Sequence, residues 1–325
     1  MKNIVAAGLV LLLSASCGSD KTDRKWEEKE NTFAFKTVVK GETPPVELEA
    51  LMDIEDWRLV DSVIVCKNNG GIPYYYVLDS EDFSVCGKFG LKGNGENEWL
   101  YPHFLGKTGE EYCVLDNGRM GLYQVTRGDS SYVIRRMRDV KPVLPFNAVK
   151  SVSYPMFAYV TYSPNEIAWR VGNAETMAVS DSVAFTDEEG KGEAIRYDFS
   201  YDVSAGHAVL AGLHQDWFLI LGLSGEGRIS PRWMVKGQEG EQPEGTVYYT
   251  DVACGKDVYL LSQRNVDPSD ASGTSSVEVY DYEGRPLRRL DLDIIASKMI
   301  VDEARGRLVF CSPMDNALHG LEAEL

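Results

Sequence analysis

The sequence predicts an all-β domain built as a six-bladed β-propeller, and two observations favour this fold. Short runs with a two-residue apolar period, typical of strands, follow one another at spacings of about 8–12 residues. Gly, Asn and Asp turns separate these runs, and the chain contains 30 glycines. Almost nothing has the period of a helix, and the one modest candidate, Glu47–Glu55, lacks a clear start and stop. A sandwich or barrel of this length is usually more than one domain, so the pattern favours a propeller.

An internal repeat gives the number of blades. An apolar strand, a polar turn and further strands recur with a period of roughly 40–60 residues, the size of one four-stranded blade. The predicted blades centre on residues 60–88, 105–138, 148–185, 205–235, 247–291 and 295–325. Six is therefore the expected number, with five or seven as alternatives. Because the last segment holds few strands, we expect a strand from Thr32–Val39 to complete it and close the ring.

The N-terminus has the order of a secretory signal. Lys2 precedes the apolar run Ile4–Leu13, and small residues then lead to Cys17. The run is too short to span a bilayer of about 30 Å as a helix. The segment resembles a bacterial lipoprotein signal, although Ser14 stands where that signal prefers Leu. An ordinary signal peptide with a nearby cysteine is the alternative.

This signal divides the chain into three parts. Residues 1–16 are the predicted signal peptide, and Cys17 becomes the lipid-carrying first residue. Residues 17–31 are polar, charged and without apolar periodicity, which predicts a disordered tether. The propeller is expected over residues 32–325. In Bacteroidetes lipoproteins, acidic residues just after the cysteine resemble a signal for export to the cell surface. Asp20 and Asp23 match this signal only in part, so the sequence does not determine which side of the membrane the protein faces.

Charge excludes one class of partner. The chain has a formal net charge of −17 and no Lys/Arg-rich stripe. Nucleic-acid binding depends on neutralising phosphates, so nucleic acid is excluded as a partner. Anionic lipid should also repel the chain, and the expected membrane link is therefore the lipid on Cys17 alone.

Six cysteines do not form a recognisable framework. Lipidation of Cys17 leaves an odd number, and none of the others has the spacing of metal ligands. Four of them sit in apolar, strand-like runs, which favours buried free thiols. A single bridge between Cys66 and Cys86 remains an alternative. The five cysteines concerned are Cys66, Cys86, Cys113, Cys254 and Cys311.

The glycine-rich stretch Lys88–Pro102 carries a family resemblance. It resembles the blade-ending signature of the TolB-like six-bladed propeller lipoproteins of Bacteroidetes, roughly Phe-Gly, two residues, Gly-x-Gly-Pro-Gly-Glu-Phe and then Pro. This chain keeps the glycines and the Glu-aromatic pair of the signature but lacks its Pro-Gly dipeptide. The segment Lys236–Gly245 matches the same signature more weakly. The resemblance covers about residues 33–325 and implies fold and compartment, not a specific function. From the residues alone, Gly90, Gly93 and Gly95 are expected at positive φ in a connection between blades.

No catalytic or metal-binding motif is present. The four histidines lack the His-Glu-x-x-His spacing of zinc hydrolases, and there is no Gly-x-Ser-x-Gly nucleophile elbow. Acidic groups such as Asp187-Glu188-Glu189, or Asp251 near Asp257, could hold calcium but lack its ligand loop. Solvated charge is the preferred interpretation, so no cofactor is expected.

Aromatic residues near two predicted blade connections are the candidate binding surface. Tyr and Trp offer flat, amphipathic contact area for sugars or peptide side chains, and propellers bind where such connections converge. The alternative is that these residues pack between blades. The candidates are Trp99, Tyr101, His103, Tyr248, Tyr249 and Asp251.

These observations predict a non-enzymatic envelope lipoprotein whose propeller binds or scaffolds a glycan, a peptide or a partner protein. The first alternative is a hydrolase or lyase that acts on glycans or lactones with a divalent metal in the channel. A second alternative is a structural subunit of an outer-membrane assembly without a small ligand.

Overall fold

The chain folds into six small β-sheets arranged as a ring. A computed structural model describes residues 27–30, 38–40, 45–46, 54–68, 72–129, 131–140, 146–163, 166–185, 199–237, 245–267, 269, 272–314 and 317–322. Within these residues the helical structure is a single 3-10 turn, Glu303–Arg305. No described helix has the length and apolarity needed to cross a membrane. The prediction of an all-β, six-bladed propeller is confirmed.

Each blade is built from consecutive antiparallel strands that run from the channel outwards. In blades 1 to 3 the strands are Ile54–Val60, Val63–Asn68, Tyr75–Asp79 and Val85–Phe89; Pro102–Thr108, Glu111–Asp116, Gly121–Arg127 and Tyr132–Asp139; and Phe146–Ser153, Met156–Ser163, Glu166–Asn173 and Val179–Phe185. In blades 4 to 6 they are Phe199–Ser204, His207–Gly212, Trp217–Leu223 and Ile229–Lys236; Tyr249–Cys254, Val258–Ser262, Ser276–Tyr280 and Pro286–Asp291; and Lys298–Asp302, Arg307–Cys311 and Leu318–Glu322. We call the first strand of each blade its inner strand and the fourth its outer strand.

Three short N-terminal strands, which we call the N-terminal strap, run along the outside of blades 4 to 6. Glu27–Glu30 pairs in parallel with the outer strand of blade 4, and Val38–Lys40 pairs in parallel with that of blade 5. Pro45–Val46 pairs antiparallel with Leu318–His319 and supplies the fourth strand of blade 6. An N-terminal strand therefore completes the last blade.

The strap corrects two sequence predictions. The closing strand is Pro45–Val46 instead of one from Thr32–Val39, whose described end belongs to the strand on blade 5. The strand Glu27–Glu30 also lies inside the stretch predicted as a disordered tether, because edge pairing does not require apolar periodicity. The helix considered for Glu47–Glu55 is not present in its described residues, because Ile54 and Glu55 begin the inner strand of blade 1. Cys17 and the predicted signal peptide lie outside the described residues.

Hydrophobic clusters fill the interfaces between neighbouring blades. Six clusters of buried residues are present in the described structure, one for each consecutive pair of blades and one between blade 6 and blade 1. Each blade therefore buries both of its faces. This arrangement excludes the Cys66–Cys86 bridge, because Cys66 packs towards blade 6 and Cys86 towards blade 2. The five described cysteines are free, as predicted.

The glycine-rich stretch after blade 1 is an inter-blade connection, as the sequence suggests. Leu91–Lys92 and Glu98–Trp99 form a two-residue parallel ladder within it. Trp99 is fully buried and packs edge-on against Phe89 and Tyr123, with ring centroids 6.2 and 5.6 Å away. Gly90 has φ +77°, and a Cβ there would lie 2.4 Å from the Trp99 ring. Gly90 and Gly93 have positive φ as expected, whereas Gly95 does not.

We expect Trp99→Ala to lower the free energy of unfolding by about 3–5 kcal/mol, because it leaves a cavity between blades 1 and 2. The matched control is Tyr101→Ala, two residues along the chain, where the side chain is 68% exposed and the expected change is within about 0.5 kcal/mol. Urea unfolding followed by tryptophan and tyrosine fluorescence measures both. Equal effects of the two substitutions would contradict the interface packing.

Candidate functional site

The inner strands of all six blades line one cavity at the centre of the ring. Its volume is about 610 Å³, which lies within the usual size range of small-molecule sites. Each blade contributes side chains from the same strand of its sheet, so the cavity is the central channel of the propeller. The charged lining residues are Glu55, Asp56, Arg58, Lys67, Lys150, Asp202, Asp251 and Lys298. Acids and cations are therefore equal in number, although the whole chain is strongly acidic.

An ion pair crosses the channel. Arg58 Nη1 of blade 1 donates to Asp202 Oδ1 of blade 4, 2.8 Å away, and these two blades stand opposite each other in the ring. Lys150 of blade 3 approaches the same carboxylate oxygen at 3.8 Å. Both partners of the main pair are largely shielded, with side chains 17% and 12% exposed. The pair therefore narrows the channel part of the way along its length.

Two channel acids also connect neighbouring inner strands. Asp202 Oδ2 accepts the backbone N–H of Cys254 in blade 5, at 2.9 Å. In the same way, Asp251 Oδ2 accepts the backbone N–H of Met299 in blade 6, at 2.8 Å. Each carboxylate thus uses one oxygen to hold the next blade. These acids have a structural role that ordinary surface acids do not have.

Burial and neighbouring charges have opposite effects on the pKa values of the channel acids. Burial opposes ionisation of Asp56, but the charges of Lys150, Arg58 and Lys298 together outweigh it and hold its pKa below the ordinary value. Burial raises the pKa of Asp251, although Lys150, Lys298 and the Met299 N–H act against it. Asp56 is therefore the more firmly ionised of the two acids.

Three charged residues line the channel near the start of the inner strands. They are Asp56, Asp251 and Lys298. The Lys298 ammonium forms no ion pair with any residue that the structure describes, while its charge acts on both acids. A cation and two acids are thus available at one mouth. We call this region the charged mouth.

Two of the predicted binding residues belong to the channel. His103, at the start of the inner strand of blade 2, and Asp251 both line the cavity. Burial, together with the nearby charge of Lys67, lowers the pKa of His103 to about 3, against the opposing effect of Asp56. The imidazole is therefore neutral throughout the physiological range.

The other predicted residues do not join them. Trp99 is buried between blades 1 and 2, and Tyr101 is exposed but does not line the cavity. Tyr248 and Tyr249 are buried between blades 4 and 5. The expected aromatic surface therefore does not form, because three of its four aromatic rings pack between blades. This was the alternative considered for them.

Tyr249 instead anchors a buried polar network between blades 4 and 5. Arg264 makes a bidentate pair with Asp216, at 2.6 and 2.8 Å, and also donates to the Tyr249 hydroxyl at 2.6 Å. That hydroxyl lies 3.2 Å from the carboxylate of the fully buried Glu278. A Cβ on Gly237 would lie 1.6 Å from Asp216, so this close approach requires glycine. The network fixes the blade interface and does not open into the channel.

A metal site is not visible in the described part of the chain, where no three His, Cys, Asp or Glu side chains form a ligand group. Of the sequence candidates for calcium, Asp251 lines the channel, whereas Asp257 lies in the turn after that strand and outside the cavity lining. Asp187, Glu188 and Glu189 are outside the described residues.

Sequence reasoning missed most of the charged lining. Asp56, Arg58, Asp202 and Lys298 are all on inner strands. One signal was available: each is a charged residue in the strand that opens a repeat. Because the first strand of every blade faces the channel, charges at these positions mark the lining.

Fold and site together define a six-bladed β-propeller with a charge-balanced central channel. No known protein family matches the sequence, and no curated protein matches it either. Solved structures do share the fold. A Bacteroides fragilis protein described as exported superimposes with a TM-score of 0.55 and 10% identity, covering 88% of this chain and 99% of that one.

Two further structures show the same architecture. Regucalcin, a calcium-binding protein from Agrobacterium tumefaciens, has a TM-score of 0.56 and 9% identity, covering 89% of this chain and 97% of that one. A member of the DUF4221 family from Bacteroides vulgatus has a TM-score of 0.50 and 13% identity, covering 86% and 97%. At these identities the similarity concerns the fold alone.

We expect the depressed pKa of His103 to make stability depend on pH. The unfolded imidazole binds a proton as the pH falls through about 6.5, whereas the folded one stays neutral, so stability is lost on acidification. His103→Gln should remove about 1–2 kcal/mol of the loss between about pH 7.5 and pH 5. The matched control is His214→Gln, at an exposed position outside the cavity lining. Urea unfolding at several pH values tests this, and identical pH profiles for the wild type and His103→Gln would contradict it.

Proposed function

We propose that this chain is an exported, lipid-anchored protein of the bacterial envelope whose propeller binds a polar ligand in its central channel without catalysing a reaction. The observation that carries the proposal is the cavity of about 610 Å³ to which all six inner strands contribute. Charged groups of both signs line this cavity, which suits a ligand with many hydrogen-bonding groups.

The charged mouth favours a glycan or a peptide as the ligand. Hydroxyl and peptide groups both donate and accept hydrogen bonds, so they can pair with acids and cations at the same time. The carboxylates of Asp56 and Asp251 supply acceptors, and Lys298 supplies donors. A protein partner that inserts a loop into the mouth would use the same groups.

The engagement of the channel acids supports binding over catalysis. Asp202 is held by Arg58, by Lys150 and by a backbone N–H of blade 5. A general acid or base has to exchange a proton with the substrate during the reaction, which such fixed pairing opposes. The alternative of a metal-dependent hydrolase has no specific observation in its favour among the described residues.

The N-terminal sequence supports the export and anchoring in this proposal. The apolar run before Cys17 and the resemblance of Lys88–Pro102 to the TolB-like lipoproteins of Bacteroidetes support an envelope location, with the outer membrane as the proposed site. We expect the full-length chain, expressed in a bacterium fed an alkyne fatty acid, to take up the label. Cys17→Ala should abolish labelling, whereas Cys113→Ala, at a buried cysteine, should retain it. Labelling that survives Cys17→Ala would refute the anchor.

The binding proposal is tested on the chain that begins at residue 17, with Cys17→Ser. Thermal unfolding is recorded with glycans, peptidoglycan fragments, peptides and divalent ions. A ligand that binds only the folded state at a hundred times its Kd adds about 2.7 kcal/mol of stability, which is readily detected. We expect a sugar or a peptide to raise the Tm. Lys298→Met should then weaken its binding at least about tenfold, because it removes the cation at the charged mouth.

The matched control is Lys256→Met, which removes an exposed lysine outside the cavity lining and should leave affinity unchanged. Equal loss in both variants would place the ligand elsewhere. A rise in Tm with calcium or zinc that a chelator reverses would instead favour the hydrolase alternative. No rise with any compound would exclude a channel ligand of the classes tested.

A further inference from the structure

The outer strands of the blades differ in charge, and the strands that pair with the N-terminal strap carry more cations than those of blades 1 and 3. Two outer strands accept a strand of the N-terminal strap, and both carry two cations: Arg232 and Lys236 in blade 4, and Arg288 and Arg289 in blade 5. The outer strand of blade 1 has one lysine and that of blade 3 has no cation. Neither pairs with a further strand in the described structure.

The contact on blade 4 shows how an acidic segment is held. Glu27–Glu30 runs parallel to Trp233–Lys236, and its sequence is Glu-Glu-Lys-Glu. Glu28 Oε1 lies 2.8 Å from the Lys236 ammonium. The ammonium of Lys29 lies 3.5 Å from the centroid of the Trp233 ring and donates to the Glu283 carbonyl. Backbone pairing and opposite charges therefore act together on a segment with no apolar period.

Blade 2 carries the most cationic outer strand. Tyr132–Asp139 contains three arginines, more than either strand that accepts the strap. It is eight residues long, and most of its side chains are exposed, including Val133 at 59% and Met137 at 47%. Among the described residues nothing pairs with its outer edge. Arg127, on the neighbouring strand, adds a further exposed cation.

The competing edges of blades 1 and 3 are less accessible. The outer strand of blade 1 is five residues long, and the Tyr132 ring of blade 2 covers its Gly87, whose added Cβ would lie 2.6 Å from that ring. Five of the seven residues in the outer strand of blade 3 are buried. Blade 2 therefore presents the longest and most open free edge of the described ring.

We propose that the outer strand of blade 2, Tyr132–Asp139, is a docking edge for an extended acidic segment of a partner protein, which adds to the sheet as a fifth strand. The backbone edge supplies the hydrogen bonds, as in other cases of strand addition. Arg135 supplies the charge complement that Lys236 supplies to Glu28 on blade 4. Arg136 already pairs with Asp139 of the same strand, at 2.7 Å. This edge is outside the channel, so the inference is independent of a channel ligand.

The arginines also select against the wrong partner. Exposed edge strands invite pairing with a second copy of the same chain, and charged side chains are a common protection against it. Two basic edges repel each other when they are placed side by side, whereas an acidic strand gains attraction. A cationic edge on an acidic chain thus discourages self-association and admits an acidic segment.

The test uses the full-length chain in detergent and a fluorescent decapeptide of alternating Thr and Glu. We expect the peptide to bind by fluorescence anisotropy, with weaker binding at higher salt. The same peptide with Lys in place of Glu should not bind. Hydrogen exchange should show new protection of the backbone over residues 132–139 when the acidic peptide is bound, because strand addition engages amides that are free in the uncomplexed chain.

Arg135→Glu should reduce the affinity at least tenfold. The matched control is Arg228→Glu, an exposed arginine in the turn before the outer strand of blade 4, which changes the net charge equally and should leave the affinity unchanged. Arg135→Gln should give an intermediate loss of affinity. Because this substitution adds no negative charge, such a loss cannot come from misfolding caused by charge reversal. Failure of the acidic peptide to bind, equal losses in Arg135→Glu and Arg228→Glu, or binding without protection of residues 132–139 would each overturn the proposal.

Discussion

The burial of both faces of every blade is the constraint on which the rest of this structure depends. Each sheet is apolar on its two sides, so it needs a neighbour on each, and an open row of blades would leave two faces in water. The ring removes those faces, and the cluster between blade 6 and blade 1 completes it. Pro45–Val46 supports that closure by giving blade 6 its fourth strand from the other end of the chain.

The polar channel is a consequence of the same closure. Wedge-like packing of six blades places six inner strands side by side around an axis, where they are too far apart to fill the centre with apolar side chains. Polar groups near that axis must therefore find partners across or around the ring. Arg58 reaches Asp202 in the opposite blade, and Asp202 and Asp251 each accept a backbone N–H of the next inner strand. The charges that stabilise the ring from inside thereby create the surface that a polar ligand meets.

Local patterns explain why the blades could be predicted and most of the site could not. Strand period and turn residues are local, so the six predicted segments coincide with the six observed sheets. Glu27–Glu30 has no such signal, because it is a strand only through pairing with blade 4. His103 and Asp251 were found near connections, but Trp99 and Tyr249 face neighbouring blades. Contacts between repeats some 50 residues apart decide which aromatic rings are buried between blades, and the strand period of one repeat does not show these contacts.

The N-terminal strap covers one half of the ring and leaves the other half uncovered. This asymmetry determines where the proposed anchor lies relative to the proposed binding surfaces. The strap covers the outer edges of blades 4 and 5 and completes blade 6, so the free outer edges lie on blades 1 to 3. Its first described residue, Glu27, lies at the rim of blade 4, about ten residues after Cys17, a separation that spans at most about 35 Å. A lipid on Cys17, as proposed above, would therefore lie within about 35 Å of the rim of blade 4, on the side that the strap covers. The free edge of blade 2 belongs to the opposite half, where a partner can approach without competing with the anchor.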